Sequence, residues 1–341
     1  MKSNFKGEGI SQMRNFISVI IPVYNEELLI ENSIEVINNE IEKINVGYEI
    51  ILIDDGSKDN TWEIINELIK KVPQIRAYRF SRNFGKESAL SAGLDKAKGD
   101  AVILMDCDLQ HPPMYISQMV ERWKMTGSDI VECVKESRGK EGLINKLGAK
   151  VFYNTLNKMT GYKMDGASDF KLLDRKVVNA WKQMKEHNVF FRGMSAWLGF
   201  TREIIYFEVP ERMEGTSKWS LISLLKLAIS AIVSFSALPL RLVSMFGIIF
   251  LSISIILGFH TLYGKFTNQA VTGFTTVILL ILFTGSILMI SLGIIGEYVA
   301  AIYNEVKNRP RYVIAENVQN SSILSSEIEG GGGEYDTTRA R

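Results

Sequence analysis

Two apolar runs near the C-terminal end constrain the fold of this chain most. Residues Leu242–Tyr263 and Val271–Gly296 contain no Asp, Glu, Lys or Arg. Each run exceeds the roughly 20 residues that an α-helix needs to cross the apolar core of a bilayer. Only the short stretch Gly264–Ala270 separates them. The sequence therefore predicts a helical hairpin across a membrane and disfavours two buried helices of a soluble domain.

The basic residues around this hairpin predict its orientation. Arg241 precedes it, and Lys307, Arg309 and Arg311 follow it, whereas the connecting loop carries only Lys265. Because cytoplasmic loops are enriched in Lys and Arg, the pattern predicts a two-span protein of the inner or plasma membrane. Both chain ends are expected in the cytoplasm.

Composition agrees with a cytoplasmic soluble part. The chain has two cysteines, Cys107 and Cys133, which favours a reducing compartment over a disulfide framework. The first fifteen residues are polar and lack the apolar segment of a secretory signal. Lys and Arg total 39 against 38 Asp and Glu, and this balance argues against a nucleic-acid-binding protein.

The region from Phe16 to Phe207 alternates short β-branched runs with helical periodicity, which predicts a doubly wound α/β domain with a mostly parallel sheet. The predicted strands are Ile17–Ile21, Glu49–Ile53, Ile75–Arg79, Ala101–Met105 and Asp129–Val134. The predicted helices are Glu27–Ile44, Thr61–Lys71, Lys86–Ala97 and Met114–Met125. Such sheets bind ligands at the carboxyl ends of their strands.

The predicted organisation has five parts. An N-terminal extension (1–15) and the α/β domain (16–210) precede a juxtamembrane segment (211–240), the two spans (within 241–302) and a cytosolic tail (303–341). Residues 217–238 have an amphipathic pattern, which favours a helix in the membrane interface over one packed on the soluble domain. The tail from Ser321 onward is Gly-rich without apolar periodicity, so we expect it to be disordered.

Polar residues follow three of the predicted strands, in the segments Pro22–Glu26, Asp54–Ser57 and Asp106–Asp108. Since the carboxyl ends of parallel strands meet at one edge of a sheet, these residues are expected to share a crevice. Asp106 and Asp108 offer hard oxygen ligands that suit Mg²⁺ or Mn²⁺, which in turn bridges a diphosphate. An Asp-x-Asp pattern alone is a weak signal, because it occurs by chance in many proteins.

Taken in order, these motifs resemble glycosyltransferase family 2. Residues Ser81–Lys86, Asp169–Arg175 and the late hairpin narrow the resemblance to its polyisoprenyl-phosphate glycosyltransferase branch, over roughly Phe16 to Arg311. The resemblance implies a GT-A fold and an enzyme that transfers a hexose, with inversion, from a nucleotide sugar to polyisoprenyl (undecaprenyl) phosphate. UDP-glucose is the favoured donor and UDP-N-acetylglucosamine the next.

The resemblance also implies roles for individual residues. The nucleotide-sugar site would comprise Pro22, Tyr24, Asn25, Glu26, Asp54, Asp106, Arg212 and Lys218. The Mg²⁺ or Mn²⁺ site would comprise Asp106, Asp108 and Gln110, and the acceptor phosphate would meet Lys135 and Arg138. The catalytic residues would be Asp108 and Asp169. Many family members have Asp where this chain has His111, so a direct metal role for that position is not expected.

Asp169 is not expected to act as a general base. An alcohol acceptor needs a base to remove its proton, whereas a phosphate acceptor is already ionised near neutral pH. Asp169 is therefore expected to position a substrate, with a capping role or pairing to Arg175 as the structural alternative. For Lys135 and Arg138 the alternative is a solvated surface charge.

Two other functions remain open at this stage. A processive polysaccharide synthase would carry a Gln-x-x-Arg-Trp motif; Arg122-Trp123 is present, but position 119 is Met. A catalytically silent membrane scaffold would have lost its acidic motif, which is intact here. The resemblance further implies a homo-tetramer, a downstream flippase and a second glycosyltransferase. Acidic neighbours are expected to raise the pKa of Cys107, so a reactive thiol is not predicted.

Overall fold

The computed structural model describes residues 16–135, 169–184, 186, 191, 193, 197–207, 238–267 and 273–320. The chain divides into two compact units. One comprises residues 1–143, 164–215 and 310–341, and the other comprises residues 144–163 and 216–309. The predicted N-terminal extension, residues 217–237 of the predicted amphipathic segment and the tail from residue 321 lie outside the described residues.

The first unit is built on an eight-stranded sheet with the order β7-β5-β6-β4-β1-β2-β3-β8. Its strands are β1 Phe16–Val23, β2 Gly47–Asp54, β3 Ile75–Phe80, β4 Ala101–Leu104, β5 Ile130–Lys135, β6 Lys171–Asp174, β7 Arg202–Phe207 and β8 Ile314–Gln319. Its helices are α1 Ile30–Glu42, α2 Thr61–Lys71, α3 Lys86–Lys96, α4 Tyr115–Thr126 and α5 Arg175–Gln183.

The strands β3, β2, β1 and β4 form the parallel centre of the sheet. Helices separate these strands in the chain, as the sequence predicts. Strands β1, β2 and β4 are mostly apolar because layers cover both faces of the sheet; Val19, Ile51 and Ile103 are completely buried. Strand β3 also carries Arg76 and Arg79, which are only partly buried. The predicted GT-A-like α/β fold is confirmed, and its first four strands place their carboxyl ends at one edge.

Four further strands flank this centre, and of these the sequence predicted only β5. Strand β6 runs antiparallel between β4 and β5, while β7 pairs in parallel with β5. Strand β8, which lies within the predicted tail, pairs antiparallel with β3. The residues that follow the candidate membrane hairpin thus return to the sheet that the first part of the chain forms.

Helix α4 illustrates how the local pattern fixes an element. Ile116, Met119, Val120 and Trp123 are buried at helical spacing on one face, which is the stripe that a helix packs on a sheet. The helix ends at Gly127, whose φ of 67° is left-handed and whose N–H donates to the Trp123 carbonyl. Glycine adopts this conformation without a steric penalty. The predicted bounds differ from the observed ones by one residue.

The second unit contains two long helices, α6 Leu238–Phe266 and α7 Phe274–Val306. Helix α6 extends beyond the predicted span 242–263 at both ends, whereas α7 begins three residues after the start of the predicted span 271–296 and ends ten residues after its end. By length and composition, their windows Val243–His260 and Phe283–Val306 are long and apolar enough to cross a membrane. The rings of Phe250 and Phe283 pack together with centroids 5.7 Å apart, so the two helices contact each other as a hairpin.

Candidate active site

A cavity of about 310 Å³ opens at the carboxyl ends of β1, β2 and β4. Strand ends and the first turn of α3 supply its walls. It is lined by Pro22, Val23, Tyr24, Glu26, Asp55, Asn83, Gly85, Lys86, Ala89, Asp106, Cys107 and Asp108. Five residues of the predicted nucleotide and metal sites are therefore brought together, and seven further residues join them.

The turn after β4 carries the two acids of the Asp-x-Asp pattern. Both Asp106 and Asp108 line the cavity, and the Asp106 side chain is 27% exposed. Asp108 Oδ1 accepts a hydrogen bond from the backbone N–H of Gln110 at 3.1 Å. Leu109, which follows Asp108 in the chain, has a φ of 53°, a strained value for a leucine. Such strain is concentrated at functional sites, and here it belongs to the turn that presents both carboxylates.

The end of β1 places Pro22 on the cavity wall, and the turn after it places Tyr24 and Glu26 there, while Asn25 has a different role. Asn25 also has a φ of 53°. Its N–H donates to Ser57 Oγ at 2.9 Å, and its side-chain oxygen accepts from the Lys58 N–H at 2.9 Å. Asn25 therefore ties the turn after β1 to the turn after β2 and does not line the cavity.

Asp54 is completely buried at the end of β2 and also does not line the cavity. Its Oδ1 accepts from the Ser57 N–H at 2.9 Å, and its Oδ2 lies 3.3 Å from Arg79 Nε. The Arg79 guanidinium in turn lies 3.4 Å from Glu316 of β8. Burial raises the pKa of the Asp54 carboxyl, although Ser57 and Arg79 oppose that shift.

The adjacent Asp55 reaches the cavity and fixes the loop before α3. Its two oxygens accept from the backbone N–H groups of Phe84 at 2.6 Å and Gly85 at 2.9 Å. Gly56 allows this approach: its φ is 69°, and a Cβ there would lie 2.6 Å from the Arg82 carbonyl carbon. Burial raises the pKa of Asp55, and the two backbone hydrogen bonds oppose the shift. The sequence motif contains Asp55, but no role was predicted for it.

Lys86, the first residue of α3, links the acids of the site. Its Nζ lies 2.5 Å from Asp106 Oδ1 and 3.0 Å from Asp169 Oδ2. Partial desolvation lowers the pKa of the Lys86 amine, but these two carboxylates outweigh it and raise the pKa. No role was predicted for Lys86; the available signal was a lysine directly after the Phe84-Gly85 turn.

Asp169 is therefore part of the cluster at the cavity. The alternative of pairing with Arg175 is not observed: the Arg175 guanidinium donates to the backbone carbonyls of Ala97 and Gly99. The Asp169 side chain is 11% exposed and faces Lys86. Asp169 lies two residues before β6, and this antiparallel strand brings it near the end of β4.

His111 and Cys107 support the acidic turn. The His111 ring is buried and stacked on Phe170 with centroids 5.1 Å apart, and its Nδ1 lies 3.9 Å from Asp106 Oδ2. Burial raises the pKa of the Cys107 thiol to about 12, and nearby Glu26 adds to the effect. The expectation that Cys107 is not a reactive thiol is confirmed in direction, with burial as the larger cause.

Several predicted site residues are not brought into the cavity by the described structure. Gln110 does not line it. Lys135 ends β5, but its side chain is outside the description, and Arg138, Arg212 and Lys218 lie outside the described residues. Within the described parts of the chain, no group of three or more His, Cys, Asp or Glu side chains is arranged to hold a metal ion.

The Arg122-Trp123 pair has structural contacts on α4, with Trp123 in the core and the Arg122 side chain half-exposed. Trp123 is completely buried, and its indole N–H donates to Asp174 Oδ2 at 2.9 Å. Arg122 lies 3.6 Å from Glu203 of β7. Neither residue lines the cavity, so the resemblance of this pair to part of a polysaccharide-synthase motif has a structural explanation.

Comparison with known proteins identifies the family. The model of glycosyl transferase family 2 matches residues 18–181. A Bacillus subtilis protein described as the uncharacterized glycosyltransferase YkcC is 39% identical over 91% of this chain and 97% of its own length. The bactoprenol glucosyl transferase of Shigella phage SfII is 38% identical over 88% of this chain and 98% of its own length.

Among solved structures, glucosyl-3-phosphoglycerate synthase from Mycobacterium tuberculosis, in complex with Mn²⁺, UDP and phosphoglyceric acid, is 21% identical. It matches 64% of this chain and 76% of its own with a TM-score of 0.45, a likeness too low to carry an argument. The assignment rests on the sequence relatives, which match this chain over nearly their whole length. On that evidence the protein belongs to glycosyl transferase family 2 and is a glycosyltransferase.

Proposed function

We propose that this enzyme transfers a hexose from a nucleoside diphosphate sugar to polyisoprenyl (undecaprenyl) phosphate at the cytoplasmic face of the membrane. UDP-glucose is the favoured donor, followed by UDP-N-acetylglucosamine. The observation that carries the proposal is the cavity in which Asp106 and Asp108 meet Pro22, Tyr24 and Glu26. The name of the phage relative, a bactoprenol glucosyl transferase, supports a polyisoprenyl acceptor.

The donor set fits a divalent cation. Mg²⁺ is commonly held by one or two carboxylates together with substrate phosphates and water, and the two aspartates at the end of β4 supply that number. We assign the ion to Asp106 and Asp108, with Gln110 as the further member that the family resemblance implies. When bound, Mg²⁺ or Mn²⁺ would neutralise charge that builds on the departing nucleoside diphosphate.

The remaining chemistry is a displacement with inversion. A phosphate oxygen of the lipid attacks the anomeric carbon, the bond to the diphosphate breaks, and the diphosphate leaves with the electron pair. The acceptor needs no general base, because its phosphate is already ionised. Asp169, held 3.0 Å from Lys86 Nζ, is suited to positioning a substrate. Arg212 and Lys218 toward the donor phosphates, and Lys135 and Arg138 toward the acceptor, remain part of the proposal.

The candidate membrane hairpin would hold the catalytic domain where the acceptor headgroup lies, which is a proximity effect. The chain topology supports a hairpin with both ends on one side. Strands β1 to β7 precede α6, and β8 follows α7, yet all eight belong to one sheet. With the flanking Arg241, Lys307 and Arg309, this arrangement favours the cytoplasm for both ends. We further propose that the enzyme forms a homo-tetramer and that a flippase and a second glycosyltransferase act after it.

The test is a transfer assay in membranes with undecaprenyl phosphate, Mg²⁺ or Mn²⁺, and a panel of labelled UDP- and GDP-sugars. We expect lipid-phase label from one donor, lost on chelation and lost in Asp108→Asn. Glu63→Gln, which changes an exposed acid on α2, is the matched control and should transfer normally. Label only in a water-soluble or polymeric product would overturn the lipid-phosphate acceptor. No transfer from any donor would overturn the proposal as stated.

A further inference from the structure

Lys86 stands in an unusual electrostatic position. It is the first residue of α3, where the helix dipole disfavours a cation. Gly85 before it has a φ of 93°, which favours glycine, and Asp55 holds that turn through the Gly85 N–H. The turn thus presents an ammonium group at a helix end that suits an anion. Departures from local rules of this kind are expected at functional sites.

The carboxylates of the cavity explain what holds the ammonium there. Among the residues that line the described cavity, Glu26, Asp55, Asp106 and Asp108 are acidic and Lys86 is the one base. Lys86 Nζ contacts Asp106 at 2.5 Å and Asp169 at 3.0 Å. Its side chain is 41% exposed, so the ammonium can be reached by a ligand in the cavity.

Lys86 and the proposed divalent ion would both bind the Asp106 carboxylate. The divalent ion assigned above would bind Asp106, whose Oδ1 is now in contact with Lys86. An ammonium group and a divalent ion repel each other at that distance. Binding of the ion would therefore weaken the contact between Lys86 and Asp106 and leave the ammonium available to another anion in the cavity. The anions that the proposed reaction brings there are phosphates.

We propose that Lys86 is a place-holding cation: it neutralises Asp106 in the empty site, competes with the divalent ion, and then binds a substrate phosphate oxygen. This inference rests on the proposed function, because it takes the metal at Asp106 and anionic substrates from it. The phosphate belongs either to the diphosphate of the donor or to the lipid acceptor. Both offer the charged oxygens that an ammonium group binds as a point charge.

Lys86→Met tests the competition, because Met removes the charge and keeps an unbranched side chain of similar length. The first measurement is Mn²⁺ binding to the full-length protein in detergent, without substrate, by calorimetry. We expect Lys86→Met to bind Mn²⁺ about fivefold more tightly, the effect of removing one partly exposed charge. Lys86→Arg keeps the charge and should stay near the wild type. Lys70→Met, at an exposed position on α2, is the matched control.

The second measurement locates the phosphate. UDP binding in the presence of Mn²⁺ should weaken about tenfold or more in Lys86→Met if Lys86 binds the donor diphosphate. If Lys86 binds the acceptor instead, UDP binding is retained and the KM for undecaprenyl phosphate rises. The proposal is supported if Lys86→Met binds Mn²⁺ more tightly and also shows either weaker UDP binding or a higher KM for undecaprenyl phosphate. Loss of a merely structural lysine would not change the affinities for metal and phosphate in opposite directions.

Unchanged or weaker Mn²⁺ binding in Lys86→Met would overturn the place-holding role. Tighter Mn²⁺ binding with both phosphate arms unchanged would overturn the phosphate-binding role. Thermal unfolding of each variant identifies loss of folding, and Lys86→Gln replaces Lys86→Met if the latter does not fold. If the wild type transfers no sugar to undecaprenyl phosphate, the proposed function fails separately, while the Mn²⁺ and UDP measurements still decide the role of Lys86.

Discussion

Carboxylates occupy both ends of the parallel strands, and they differ in how fully the protein itself satisfies them. At the amino ends, Glu49 accepts from Ser18 Oγ at 2.6 Å and from the Lys98 N–H at 2.7 Å, and it pairs with Arg76 at 2.7 Å. At the carboxyl ends, Asp54 Oδ2 makes no hydrogen bond among the described residues but lies 3.3 Å from Arg79 Nε, and Asp106 opens to the cavity.

The difference separates a structural acid from acids that remain available to a ligand. Glu49 has its partners within the fold and lies far along β2 from the cavity edge. Asp106 and Asp108 line the cavity, where a ligand can reach their carboxylates. The four predictions below test this contrast.

Asp108→Asn should produce the largest effect and leave stability intact. Removing one carboxylate from the proposed metal site should lower the rate of sugar transfer about a thousandfold, because metal stabilisation of the leaving diphosphate is worth several kcal/mol. Initial rates in membranes measure the loss, and thermal unfolding measures stability. Activity close to that of the wild type would remove Asp108 from the site.

Glu49→Gln should have the opposite profile. It leaves the partly buried Arg76 without its counter-ion, and breaking a buried pair in this way costs about 3 kcal/mol of unfolding free energy. Denaturant unfolding of the full-length protein in detergent measures the cost, with Glu63→Gln as the exposed control. UDP affinity of the folded protein should not change. A loss of UDP affinity without a loss of stability would contradict the assignment of Glu49, at the amino ends of the strands, as a structural acid.

Asp54→Asn should raise stability at neutral pH, because the amide avoids the cost of keeping a buried carboxylate charged. Burial raises the folded-state pKa of Asp54, so the folded state binds more protons than the unfolded state between the two pKa values. The wild type therefore loses stability as the pH rises through that window.

The variant Asp54→Asn should accordingly be more stable to unfolding than the wild type at pH 7. This difference in stability should shrink as the pH falls below the folded-state pKa of Asp54. Thermal unfolding of both proteins between pH 7 and pH 4 measures it. If the variant is less stable than the wild type by the same amount at every pH, the Arg79 ion pair outweighs the cost of burial.

Glu316→Gln should have the smallest effect. The Glu316 side chain is 53% exposed where it meets Arg79, and it also accepts from the Trp62 indole at 3.1 Å. Exposed ion pairs contribute at most about 1 kcal/mol. We expect a small loss of thermal stability and little change in UDP affinity, with Asn317→Ala on the same strand as the control. A large loss of UDP affinity would show that β8 supports Asp54 through Arg79.

Much of the fold could be predicted from local sequence. Strands β1, β2 and β4 are buried on both faces along most of their length, so they contain long apolar runs, and α2 and α4 show one apolar face at helical spacing. The acids at the ends of β2 and β4 followed from strand direction alone. The two candidate membrane helices followed from length and composition, which require no knowledge of tertiary contacts.

The flanking strands β6 and β8 could not be predicted from local sequence, because they lack the apolar pattern of the central strands. β6 has four residues, and its Lys171, 2% exposed, is buried against Glu132 at 3.3 Å; in sequence a lysine indicates an exposed position. The strand β8 is largely polar, because it forms an edge of the sheet. Strand propensity depends on the neighbours that a strand finds, and β8 finds β3 across more than two hundred intervening residues.

The sequence by itself determined the family, the α/β class, the apolar hairpin and the acids Asp106 and Asp108, because each depends on local pattern or on chain direction. Only the tertiary structure decided that Asn25 ties two turns together, that Asp169 faces Lys86 instead of Arg175, and that Lys86 is in contact with Asp106. Lys86 and Asp169 are 83 residues apart in the chain. Their contact depends on the antiparallel insertion of β6, a long-range pairing that local periodicity does not encode.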